Sequence, residues 1–300
     1  MTILSASYRT DIPAFYADWF RRRFAAGSVD VLNPYGGRVQ HLPLRGDGVT
    51  GYVFWTRNAA PFAGALEDVS AAGIPFYLQY SLTGYPRPLE SSVPASAAAI
   101  EAIRRLSDRF GRRALVWRYD PVLLTSLTPA AVHRQRFAEL ARALNGIIDE
   151  VVLSFAQIYT KTRRNLDRAA ARHDFGWQDP PADEKRALLA ELGQIARNEG
   201  LTPTLCSQPE LLTPPFAGAA CIDGERLSDL AGRAIAVRRK GNRPGCLCAE
   251  SRDIGAYDSC PHGCVYCYAV TSKDAVRKRR ARHDPASSCL VPPTRPATTG

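Results

Sequence analysis

Eight short apolar runs, separated by amphipathic stretches, constrain this chain more than any other feature. They are "TILSAS" (2–7), "VDVLN" (29–33), "TGYVFWT" (50–56), "PFYLQYS" (75–81), "ALVWRY" (114–119), "EVVLSF" (150–155), "TPTLCS" (202–207) and "AACID" (219–223). Runs of four to seven residues rich in Val, Ile, Leu, Tyr and Phe, with helical periodicity between them, are the pattern of parallel strands joined by crossovers. Eight such strands predict an α/β protein of the (β/α)8 TIM type. Only a short connection follows the seventh run, which keeps a partial barrel as the alternative. Several connecting helices carry their own punctuation: "IPAFYADWFRRRFAAG" has Pro near its start and Gly at its end, and "SAAAIEAIRRLSDRFG" and "TPAAVHRQRFAELARALNG" close on Gly or Asn-Gly.

The alternation stops near residue 233. The βα region is therefore assigned to residues 1–232, a cysteine-rich cluster-binding extension dense in turn formers to 233–285, and a loose tail, "PASSCLVPPTRPATTG", to 286–300. No stretch of about eighteen apolar residues occurs, and the first residues lack a basic segment followed by an apolar run, so a cytoplasmic protein with no membrane partner is expected. In that compartment eight cysteines are better suited to metal binding or catalysis than to a disulfide framework. The net charge of +10 is spread mostly over helices, as solvated faces would be. The denser run "SKDAVRKRRARHDP" (272–285), with Arg277, Lys278, Arg279 and Arg280 in succession, also suits an anionic partner such as a nucleic acid.

In a βα barrel chemistry sits where the strands end. The residues closing the runs include Ser7, Arg9 and Asp11, then Asn33, Thr56, Arg57 and Asn58, then Gln79, Ser81 and Thr83. Arg118 and Asp120 follow in "WRYDP", then Ser154 and Gln157, Ser207 and Glu210, and Asp223. Polar residues at these positions also serve as helix caps, so each taken alone has a structural explanation. Arg118 and Asp120 lie two apart and share a face of an extended strand, as an ion pair or a polar ligand site requires. Lys161, just past the sixth run, could hold a carboxylate or phosphate, or lie on the surface. Arg118, Asp120, Gln79 and Lys161 are the candidate catalytic lining. Ser154 and Gln157 are candidates for holding a cofactor.

Cys260, Cys264 and Cys267 in "CPHGCVYCYA" have the spacing C-x3-C-x2-C. A short loop of that spacing can place three thiolates on three corners of a cubic iron–sulfur cluster and leave one iron open to an outside ligand. Pro261 and Gly263 suit the curvature. Cys246 and Cys248 in "GCLCAES" come shortly before. One of them could supply a fourth ligand and close the cluster, or the two could join later thiolates in a structural zinc site. Free thiols are the remaining reading. Cys206 and Cys221 lie in apolar runs and read as small buried residues, with Cys206 near enough to a strand end to face the site. Cys289 reads as incidental. His262 is expected to be solvent-exposed, and His283 has no evident partner.

The triad resembles the signature of the radical S-adenosylmethionine enzymes, and as a string the loop is most similar to the spore photoproduct lyase branch. The resemblance implies a 4Fe–4S cluster, S-adenosylmethionine on its open iron, and Tyr266 near the adenine. It also implies a reductant such as flavodoxin or ferredoxin, and a 5′-deoxyadenosyl radical that abstracts hydrogen from a substrate over the barrel mouth. Two features depart from it: the loop follows the last strand rather than the first, and no Gly-Gly-Glu segment follows a second strand. From about Ser5 to Pro285, the set "RTDIPAF", "FWTRN", "LTGY", "WRYDP", "CLC" and "DIGAYDSC" with the triad resembles domain of unknown function family 1848, a resemblance that implies no reaction. The expected function is a radical S-adenosylmethionine-type enzyme. The alternative is a nucleic-acid-binding or repair-associated protein with a structural zinc or closed iron–sulfur site.

Overall fold

A computed structural model describes residues 2–34, 36–241 and 243–292. Six of the apolar runs join two short strands in an eight-stranded sheet in which every neighbouring pair is parallel. Among the described residues twelve strands form, in chain order: β1 (Thr2–Ala6), β2 (Ser28–Leu32), β3 (Val39–Pro43), β4 (Val49–Thr56), β5 (Phe76–Ser81), β6 (Leu115–Val122), β7 (Leu124–Thr125), β8 (Glu150–Phe155), β9 (Trp177–Gln178), β10 (Thr202–Leu205), β11 (Ala217–Gly218) and β12 (Ser251–Asp253). The helices are α1 (Ile12–Phe15), α2 (Ala17–Ala26), α3 (Ala63–Ala71), α4 (Ser96–Phe110), α5 (Ala130–Leu144), α6 (Thr160–His173), α7 (Ala182–Asn198), α8 (Gly224–Ala231) and α9 (Lys273–Arg280). The large sheet has the order β11-β10-β8-β6-β5-β4-β1-β12.

Two of the eight expected strands lie elsewhere. "VDVLN" forms β2, which pairs antiparallel with β3 outside the large sheet. Its burial alternates along the strand, as in a half-covered hairpin, whereas β4, β5 and β8 are buried almost without interruption. "AACID" makes no ladder. The strand there is β11, two residues earlier, and the Cys221 carbonyl is taken instead by side chains, Tyr77 Oη and Gln79 Nε2, each at 2.9 Å. The eighth strand is β12, three residues with two charges, inside the segment expected to be an extension; it pairs with β1.

Strand alternation sends two sets of side chains to opposite faces. Leu4, Tyr52, Phe54, Leu78, Trp117, Leu153 and Leu205 pack into the main core with Trp19, Phe20, Leu66, Ile103, Phe137 and Leu189 from the helices. Ile3, Val53, Tyr77, Val116 and Val152 form a second core with Cys206, Cys221, Ile222, Leu227 and Cys248. Both faces are therefore buried, as a parallel sheet requires. Between the unpaired edges β11 and β12, Ala249 N–H donates to the Ile222 carbonyl at 2.8 Å. Residues 287–291, in the expected tail, pack onto the body: Trp19 Nε1 donates to the Ser287 carbonyl at 3.0 Å, and Leu290 and Val291 enter the main core. Residues 293–300 of that tail lie outside the described residues. Among the described residues no helix is long and apolar enough to cross a membrane.

Candidate functional site

The cysteine loop is laid over the carboxyl ends of β1, β4 and β5, and its backbone is fastened there. Val265 N–H donates to the Leu89 carbonyl at 3.1 Å, Ser92 N–H to His262 O at 2.9 Å, and Cys264 bridges Glu90 in antiparallel fashion. Tyr16 Oη donates to Ser259 O at 2.6 Å, and Tyr268 Oη to Tyr8 O at 2.6 Å. Gly263, at φ 71°, supplies the left-handed turn between the first two cysteines.

Two buried carboxylates hold this arrangement: Glu90, which no sequence motif contains, and Asp253, which opens "DIGAYDSC" but is not named there as a site residue. Glu90 accepts from Thr83 Oγ1 at 2.6 Å, from Arg57 Nη1 at 2.8 Å and from the Tyr266 hydroxyl, while Arg57 Nη2 reaches the same hydroxyl at 2.7 Å. Asp253, on β12, accepts from Ser5 Oγ at 2.8 Å, Ser7 Oγ at 2.7 Å, Tyr8 N–H at 3.0 Å and Gly255 N–H at 2.9 Å. Burial raises its carboxyl above the ordinary range, with Arg9 opposing. Asp11, a recognisable helix N-cap in "RTDIP", accepts from Ala14 N–H at 2.9 Å, Arg57 N–H at 2.7 Å and His262 Nε2 at 2.7 Å. His262 is thus buried rather than exposed, because Asp11 and the edge of Phe15 enclose it. His283 also has partners: Nδ1 meets Leu290 O at 2.8 Å, and its ring lies edge-on to Tyr16.

The thiols of Cys260, Cys264 and Cys267 lie within electrostatic reach of one another, and burial pushes all three up, that of Cys264 to about 12. Ala269 N–H points at Cys267 Sγ from 3.4 Å, and Arg57 and Lys161 place positive charge near this thiol. Lys161 is half-buried, its Nζ 5.7 Å from the Tyr257 ring centre. Tyr266 is buried, its ring edge-on to Tyr85.

Four of the remaining sequence candidates form one network. Arg118 Nε and Nη2 donate to Asp120, Nη1 reaches Gln79 Oε1 at 3.2 Å and Cys221 Sγ at 3.0 Å, and the guanidinium stacks 5.1 Å from the Trp55 ring centre. Ser154 Oγ donates to Asp120. Burial opposes ionisation of Asp120, but Arg118 and Ser154 outweigh it and hold the carboxyl below the ordinary range. Gln157 accepts from Tyr159 Oη and from Arg243 Nη1, the latter at 3.0 Å.

Cys246 and Cys248 lie with Cys221 and Cys206. Cys248 lies within thiol hydrogen-bonding reach of both Cys246 and Cys221, and Cys221 Sγ is 3.3 Å from Cys206 Sγ. Among the described residues no three or more His, Cys, Asp or Glu side chains are arranged to hold a single metal ion.

The fold and site together define a mixed α/β protein with a parallel sheet, across whose strand ends a three-cysteine loop is strapped. A family model described as a domain of unknown function, DUF1848, matches residues 3–269, and the chain belongs to that family. No curated protein and no solved structure matches the chain.

Proposed function

We propose that the protein is an iron–sulfur enzyme of the radical S-adenosylmethionine type, with Cys260, Cys264 and Cys267 as the ligands of a 4Fe–4S cluster. The observation that carries this reading is the separation of the cysteines. The loop keeps three thiols to itself while Cys246 and Cys248 group with Cys206 and Cys221, so one iron of a cubic cluster would lack a protein ligand. When bound, such a cluster supplies one electron, passed on from a flavodoxin or ferredoxin, for cleaving S-adenosylmethionine into methionine and a 5′-deoxyadenosyl radical.

The chain's own residues position and insulate this chemistry. Backbone N–H donors and the cations Arg57 and Lys161 offset negative charge on the thiolates. The Glu90–Arg57–Tyr266 network fixes the loop on β4 and β5, and Tyr266 lends the loop a rigid aromatic ring. Arg118, Asp120 and Gln79 line the substrate side, with Ser154 and Gln157 next to them for the cofactor. The expected barrel fits the same reading: Tyr77 and Gln79 of β5 hydrogen-bond the Cys221 carbonyl, and Ala249 N–H donates to Ile222 O between the two sheet edges, so in a closed barrel the strand ends would ring one mouth.

The test is anaerobic reconstitution with iron and sulfide, then reduction with dithionite in the presence of S-adenosylmethionine. The expected product is 5′-deoxyadenosine, lost in Cys264→Ala. A reconstituted protein that binds iron in the triad yet leaves S-adenosylmethionine intact overturns the assignment. A second reading, an anionic partner such as nucleic acid, is favoured by α9, which exposes Lys273, Arg277, Lys278 and Arg280 and buries only Val276.

A further inference from the structure

We infer that Cys206, Cys221, Cys246 and Cys248 form a second, all-cysteine iron–sulfur site, distinct from the triad. These four come from three places in the chain. Cys206 follows β10 directly, Cys221 has its carbonyl held by Tyr77 and Gln79, and Cys246 and Cys248 come just before Ala249, whose N–H donates to Ile222 O. The sulfurs run as a chain, with Cys206 and Cys221 in contact at 3.3 Å, Cys248 next to Cys221, and Cys246 next to Cys248. Four cysteines together are the ligand number of an all-cysteine iron–sulfur cluster.

An independent observation is that cations and a backbone donor already face these sulfurs. Arg118 Nη1 lies 3.0 Å from Cys221 Sγ and Arg243 Nη2 3.6 Å from Cys206 Sγ, and Ile222 N–H donates to Cys248 Sγ at 3.3 Å. A neutral thiol is a poor acceptor for a guanidinium, whereas cluster-bound thiolate is an anion. Arg118 has Asp120 as its counter-ion. Arg243 forms no ion pair with a carboxylate among the described residues. Its side chain reaches the Gln157 amide oxygen, the Tyr159 hydroxyl and the Cys206 sulfur, and Asp120 is already held by Arg118 and Ser154. A metal-bound thiolate set would give Arg243 an anionic partner in addition to its longer-range attraction to Asp120. Arg118, which touches both Cys221 and the Asp120 network, then connects this site to the proposed substrate lining.

The experiment removes the first site and asks what remains. The variant Cys260→Ala/Cys264→Ala/Cys267→Ala, reconstituted anaerobically, is expected to keep about a third to a half of the wild-type iron, with acid-labile sulfide and visible absorbance. Adding Cys246→Ser, the partly exposed member, is expected to remove most of that remainder. Iodoacetamide footprinting of the folded triple variant guards against misfolding: Cys246 should alkylate before reconstitution and be protected after it. Retention of zinc without labile sulfide, or a folded triple variant that holds no metal and whose Cys246 alkylates equally before and after, overturns the assignment.

Discussion

Replacing Glu90 with glutamine removes a charge from the clamp beneath the cysteine loop while keeping its shape. The Glu90 side chain is 2% exposed and that of its ion-pair partner Arg57 is 11% exposed. Glu90→Gln leaves Arg57 buried without its carboxylate, and breaking one side of a buried pair costs about 3–5 kcal/mol. Asp11 also lies in electrostatic reach of Arg57 and recovers part of this, so the expected loss is about 3 kcal/mol. Urea unfolding of the metal-free protein at pH 7, followed by far-UV circular dichroism, reads this directly. With a slope of about 3 kcal/mol/M, the midpoint should fall by about 1 M and the slope should not change. The double variant Glu90→Gln/Arg57→Met strands no charge and should be more stable than the single variant. A loss below about 0.5 kcal/mol for Glu90→Gln, or a double variant no more stable than the single, refutes the view that this ion pair holds the loop.

Three further outcomes follow from the geometry. Gly263→Ala places a Cβ 2.2 Å from Ser91 Oγ at a positive φ, so it should destabilise by about 1–3 kcal/mol and lower iron retention, and Ser91→Gly should restore only the steric part. His133, buried with Nδ1 2.9 Å from Tyr119 Oη and Nε2 3.1 Å from Leu123 O, has its pKa lowered by burial to about 4. Because the folded form resists protonation, stability is complete above about pH 6.5 and should fall by roughly 3 kcal/mol as pH drops towards 4; an NMR titration of His133 with a midpoint above 6 would contradict this. If α9 meets a polyanion, Arg277→Glu/Lys278→Glu should weaken nucleic-acid retention and flatten its salt dependence, and equal retention by both proteins would exclude this helix from the contact.

What was legible in the chain was whatever local pattern carries. Six of the eight apolar runs are strands of the large sheet, because a strand buried on both faces must be apolar almost throughout, and that pattern survives in one dimension. The Arg118–Asp120 pair was visible for the same reason, since alternate residues of a strand share a face. β12 was hidden because three residues with two charges show no periodicity; its place is decided by β1, where the hydroxyls of Ser5 in the strand and of Ser7 just after it bind Asp253 from some 246 positions away. Glu90 carried no motif, and only the folding of the loop onto β4 and β5 brings Arg57 and Tyr266 to it.

The cysteines divide in the same way. Spacing alone determined that Cys260, Cys264 and Cys267 belong together, because a turn of eight residues cannot hold its thiols far apart. Spacing could not decide the company of Cys246 and Cys248, which stand closer in sequence to the triad than to Cys206 and Cys221. The tertiary structure decided it: Ala249 N–H donates to the Ile222 carbonyl and Ile222 N–H to Cys248 Sγ, and this contact sets Cys248, with Cys246 next to it, beside Cys221.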